Sequence, residues 1–202
     1  NQSLTSTLLV IGKSTPTLNF SSVLTSMAVG GTQIATVSST VMVSSGGVIS
    51  FALLAGSGSA TVNPITGFVR AISSGTVTLV ATSAGDTNYY GTSTNTLITI
   101  DVGPQTLTIT SANTLLVGGS LTASVSTTAT SSGGGVLSFS ILAGSGSATV
   151  DPDTGFVTAI GSGTVTLIAS STGDINYLPA IASQTITIGA GPQTLTITSA
   201  NA

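Results

Sequence analysis

Apolar and polar residues alternate along most of the chain with a period of two, the pattern of strands that bury one face and expose the other. In the second half this predicts strands over 106–110 (TLTIT), 121–125 (LTASV), 136–142 (VLSFSIL), 148–150, 156–160, 163–170 (GTVTLIAS) and 184–188 (QTITI). Leu137, Phe139 and Ile141 share one face of the third of these, and Val165, Leu167 and Ala169 share one face of the sixth. No segment carries the 3.6-residue period of an amphipathic helix. The many Val, Ile and Thr residues favour strands, because their stiff branched side chains suit a pleated surface.

The breaks between these segments carry turn chemistry. Asp151-Pro152-Asp153-Thr154-Gly155 opens on an acceptor side chain, sets φ with Pro and closes on Gly, and Asn63-Pro64-Ile65-Thr66-Gly67 does the same earlier. Gly118-Gly119 and Gly133-Gly134-Gly135 mark further turns. Short strands at this spacing, with no helix, predict antiparallel β-sandwiches. The expected bulky core residues are Phe51, Phe68 and Tyr89, then Phe139, Phe156 and Tyr177.

Those two triplets sit at one interval because the chain repeats itself. LLAGSGSATVNPITGFVRAISSGTVTLVATSAGDTNYY begins at Leu53, and ILAGSGSATVDPDTGFVTAIGSGTVTLIASSTGDINYL begins at Ile141, 88 residues later without a gap. The same offset matches Pro16 to Pro104, Gly30-Gly31 to Gly118-Gly119, and GPQTLTITSAN at Gly103 to its copy at Gly191. The expected organisation is therefore one repeat over 15–102 and a second over 103–190. Residues 1–14 read as the closing strand of a preceding unit, and 191–202 as the first strand of a following one. Alternatively, either flanking strand is exchanged between subunits to complete a sheet edge.

SATVDPDTGFVTAIGSGTVTLIAS over 147–170 and GDINYLPAIASQTITI over 173–188 resemble bacterial Ig-like repeats of the invasin/intimin type, as do SATVNPITGFVRAISSGTVTLVAT and GDTNYYGTSTNTLITI in the first copy. The resemblance implies an all-β fold of two tandem immunoglobulin-like antiparallel sandwiches of 88 residues each, in a bacterial protein that is secreted or on the cell surface. Such modules serve as stalks, spacers, adhesive tips and accessory domains.

Composition narrows the function classes. Charged residues are 3% of the chain, where about 25% is usual. Lys13 and Arg70 are the cations, and Asp86, Asp101, Asp151, Asp153 and Asp174 the acids. Nothing here would neutralise a phosphate backbone, so no nucleic-acid partner is expected. Mean hydropathy is +0.61, yet no apolar run reaches the roughly 18 residues of a membrane-spanning helix. Aromatics, at 4%, are too few for the girdles of an outer-membrane barrel. With no Cys, disulfides and thiolate metal sites are excluded.

With no His, Cys or Glu, the general bases reduce to Asp, and no catalytic residue or cofactor is expected. A self-formed Lys–Asn crosslink would have to use Lys13. Asp151, Asp153 and Asp101 are the candidate Ca²⁺ ligands, but carboxylates are too few for an all-protein cage, and the first copy has Asn63 and Ile65 where the second has Asp151 and Asp153. Asp86 and Asp174, in GDxNY, read as turn caps. The TxT rows at Thr106/Thr108/Thr110, Thr164/Thr166 and Thr185/Thr187 suit ice, a glycan or plain solvent. Asn1-Gln2-Ser3 and Asn19-Phe20-Ser21 fit the glycosylation sequon.

The sequence thus predicts a non-enzymatic structural component of a fibre, self-associating through sheet edges or neighbouring repeats. The alternatives are an adhesin segment binding a glycan or another surface, and an inert stalk spacer.

Overall fold

The computed structural model describes residues 10–40, 47–129 and 134–197, which form strands and turns with no helix among them. The chain divides into two units, Asn1–Val102 and Gly103–Ala202. The first holds β1 (Leu18–Ser22), β2 (Ser26–Ala28), β3 (Thr32–Ile34), β4 (Thr36–Ser39), β5 (Ile49–Leu54), β6 (Ser59–Val62), β7 (Phe68–Ser73), β8 (Gly75–Ser83) and β9 (Thr92–Asp101). The second repeats the series as β10 (Leu107–Ile109), β11 (Thr114–Leu116), β12 (Ser120–Thr122), β13 (Val125–Thr127), β14 (Leu137–Ala143), β15 (Ser147–Val150), β16 (Phe156–Gly161), β17 (Gly163–Ser171) and β18 (Ala180–Gly189).

Each unit is a β-sandwich. One sheet is ordered β2-β9-β8-β5, and its counterpart β11-β18-β17-β14. The facing layer is β3-β7-β6 with the β1-β4 pair, and in the second unit β12-β16-β15 with β10-β13. Only Ala35 separates β3 from β4, so one strand spans both pairings. The opening strand is split: β1 pairs antiparallel with β4, while β2 crosses over to pair parallel with β9. This order is the topology of an immunoglobulin-like sandwich.

The core follows the alternation. Val77, Leu79 and Ala81 point inward from β8, facing Val69 and Ala71 of β7, with Ile98 and Ile100 from β9 beside them. Val165, Leu167, Ala169, Val157, Ala159, Ile186 and Ile188 rebuild this set in the second unit. Burying each such side chain contributes about 1.5–3 kcal/mol. Phe51 and Phe139 lie in these cores, Tyr177 is buried, and Tyr89 is half-buried.

Phe68 and Phe156 differ from the expectation. They point outward, 42% and 47% exposed. FVTAI carries apolar residues at both parities, so alternation alone does not choose its inner face. The neighbouring turn chooses it. Gly155 has φ +69°, and a Cβ there would stand 2.9 Å from Cε2 of Phe139, whose ring fills that space. The next inward position therefore goes to Val157, and parity sends Phe156 out.

The Pro16–Pro104 match also shifts. Leu18 pairs with Ser39 as Leu107 pairs with Thr127, and Phe20 with Val37 as Ile109 with Val125. Here the first strands are 89 residues apart and their partners 88. Pro16 thus stands where Gln105 stands, and a bulge between Phe20 and Ser22 absorbs the extra residue. The expected strand over 121–125 is likewise divided between β12 and β13. The short β11 has no alternation of its own, and only its parallel partner β18 defines it.

Candidate functional sites

The carboxylates are held in turns. Asp151 Oδ1 accepts the amides of Asp153 (3.0 Å) and Thr154 (2.8 Å), while the Gly155 amide donates to the Asp151 carbonyl. Hydrogen bonds from the Thr154 amide and hydroxyl, then the Asp153 amide, hold the Asp151 carboxyl below its ordinary value. Asn63 Oδ1 makes the same two bonds, to Ile65 (2.9 Å) and Thr66 (3.0 Å). A neutral amide thus does the same work in the first unit, and both residues act as turn acceptors.

Asp174 Oδ1 accepts the amides of Asn176 and Tyr177, and Oδ2 accepts that of Gly134 at 2.8 Å. These bonds, the Gly134 one foremost, lower its pKa. Asp86 caps Asn88 and Tyr89 identically through Oδ1. Asp101 Oδ2 accepts the Ser26 hydroxyl. Among the described residues, no three Asp residues stand close enough to share a metal ion.

Lys13 Nζ donates to the Asp86 carbonyl at 2.7 Å and lies 5.9 Å from the centre of the Tyr90 ring. It lines a cavity of about 320 Å³ with Asn88 and Tyr89. Asn19 is exposed on β1, opposite Ser38. The Asn1-Gln2-Ser3 sequon lies outside the described residues.

Sequence reading passed over Gln105. Its side chain is buried, and Nε2 donates to the carbonyls of Gly134 and Leu178, each at 2.8 Å, with the Ser171 hydroxyl at 3.1 Å. Ser171 also donates to the Gly134 carbonyl. The amide thus ties the opening strand to the loops before β14 and after β17, beside a cavity of about 90 Å³. The available signal was the GPQ triplet itself, which recurs at Gly191-Pro192-Gln193.

The TxT rows separate. Thr164 pairs with Thr187 and Thr166 with Thr185, side by side on the outer face of the four-stranded sheet. Thr106, Thr108 and Thr110 belong to the other layer, along β10.

No protein-family model matches the chain, and no curated protein matches it. Solved structures do align with it. Human CDH23 EC21-23 aligns over 86% of this chain and 63% of its own, at 16% identity and TM-score 0.38. Domains 4 and 5 of the S-layer protein SbsC align over 89% of this chain and 100% of theirs, at 13% identity and TM-score 0.36. The C-terminal 282-residue fragment of intimin, in complex with the intimin-binding domain of its translocated receptor, aligns over 87% of this chain and 64% of its own, at 16% identity and TM-score 0.32. This chain thus spans less than two thirds of the cadherin and intimin chains it aligns with. The fold assignment rests on the strand pairing within each unit.

Proposed function

We propose that the chain is a non-enzymatic structural component of a secreted or cell-surface fibre built from tandem Ig-like sandwiches. The observation that carries this reading is the lack of charge on the strands. Among the described strands, Arg70 in β7 and Asp101 in β9 are the charged residues, and β10–β18 have none. A sandwich that stays dispersed keeps roughly a quarter to a third of its surface charged and blunts its edges with Lys or Glu. The edge strands β5, β6, β14 and β15 carry no such residue.

Residues 191–197 repeat GPQTLTI of 103–109, and Leu195 and Ile197 stand 91% and 87% exposed. In this reading the segment is the opening strand of another sandwich. β10 (LTI) fills that position in the second unit, and β1 (LNFSS) fills it in the first.

Electron microscopy and light scattering of the purified chain test the proposal. Filaments, or scattering that grows with concentration, are expected. A monodisperse monomer across salt and concentration would refute it.

One observation favours an adhesive role as a second reading. Phe68 and Phe156 present exposed rings at matching positions on the outer face of the smaller sheet in both units. Aromatic faces of this kind stack on sugar rings. A glycan array probed with wild type and Phe156→Ala decides it: hits lost in the variant support it, and an empty array removes it.

A further inference from the structure

The outer face of the four-stranded sheet in the second unit is built in rows across three strands. Leu142, Thr166 and Thr185 form one row, Ser140, Ile168 and Ser183 the next, and Ser138, Ser170 and Ile181 a third. Thr114, Thr187 and Thr164 complete the face on the β11 side. It carries no charged and no aromatic side chain. The first three rows carry one aliphatic residue each, stepping from β14 through β17 to β18 in a diagonal stripe across a field of hydroxyls. Leu142 is 62% exposed and Ile181 74% exposed.

An antiparallel sheet with one solvated face normally covers it with polar and charged side chains. This face has instead the uncharged, branched, hydroxyl-and-aliphatic surface that packs against another sheet. We propose that it is the contact surface for the same face of a second copy of the chain, the two sheets stacking about 10 Å apart. This inference rests on the fibre reading and names the surface through which copies meet.

Two features select a second copy as the occupant. A sugar surface is gripped by aromatic rings, and a charged partner needs counter-charges. This face supplies neither. A copy of itself requires neither, because aliphatic residues meet aliphatic residues and hydroxyls meet hydroxyls about a twofold axis. The area fits a weak, reversible contact that repetition along a fibre adds up. Twelve positions spaced about 4.8 Å across the strands and about 6.8 Å along them give a face of about 400 Å², so a pair buries about 800 Å². No ions are desolvated on pairing, so association holds or strengthens as salt rises.

Sedimentation equilibrium on the full chain tests this. Ser140→Lys/Thr185→Lys puts two cations on the face, and Thr122→Lys/Thr149→Lys puts two on the outer face of the smaller sheet of the same unit. The first pair is expected to weaken association at least about tenfold and the second to leave it within about twofold. Mixing the Lys pair with Ser140→Glu/Thr185→Glu is expected to restore association, a result that misfolding does not mimic. Equal loss in both Lys pairs, or no loss in either, overturns the face and leaves the fibre reading standing. Failed rescue by the Glu partner also overturns the face. A wild-type chain that stays monomeric removes both.

Discussion

Gln105→Met keeps the volume of the buried side chain and removes its amide. Two carbonyls at 2.8 Å lose their donor. Ser171 still serves Gly134, and the Leu178 carbonyl, only partly buried, recovers water. Each bond is worth about 0.5–1.5 kcal/mol net, so the loss is about 2 kcal/mol. For a unit of about 100 residues this lowers Tm by about 10 °C. Differential scanning calorimetry of the full chain is the assay, and the first unit, with Pro16 at the matching position, is the internal reference. Gln105→Glu places an acceptor against two carbonyl oxygens and is expected to cost more at neutral pH. Facing those oxygens raises its folded pKa, so stability returns as pH falls through that value and the acid can donate. A Gln105→Met transition within about 2 °C of wild type would refute the claim that the amide ties the opening strand to the loops.

The Asp151 carboxyl titrates below its ordinary value, so its contribution is present above the unfolded value and is lost as pH falls through the folded one, below about pH 4. Asp151→Asn keeps the oxygen acceptor, as Asn63 does in the first unit, and removes this part of the acid sensitivity. Urea midpoints from pH 6 to pH 2.5 are expected to converge for the two proteins as the acid limit is approached, and parallel curves count against the assignment. Phe139→Ala is expected to cost about 3–5 kcal/mol, and Phe156→Ala, half exposed, about 1 kcal/mol. Equal losses in chemical denaturation would contradict the outward placement of Phe156.

Local chemistry explains which features were legible beforehand. The long strands β8 and β17 have clean alternation, because Val165, Leu167 and Ala169 all need one environment while Thr164 and Thr166 tolerate the other. The Asp151 turn was legible because an acceptor, a Pro and a Gly each meet their own backbone within five residues. The candidate Ca²⁺ ligands are legible as residues, but what Asp151 does is set by its own turn, where its Oδ1 accepts the Asp153 and Thr154 amides.

The sequence by itself determined the strand period, the 88-residue repeat and the scarcity of charge, since each is a property of neighbouring residues or of composition. The tertiary structure decided which parity of FVTAI faces inward, through the Phe139 ring over Gly155. It also decided that the first strand of the first unit is displaced by one residue, through its register with β4. The role of Gln105 belongs to the same class, because its acceptors lie 29 and 73 residues away and no local pattern records them. In an all-β fold most bonds join distant segments, so the sequence writes the strands and long-range pairing chooses their faces.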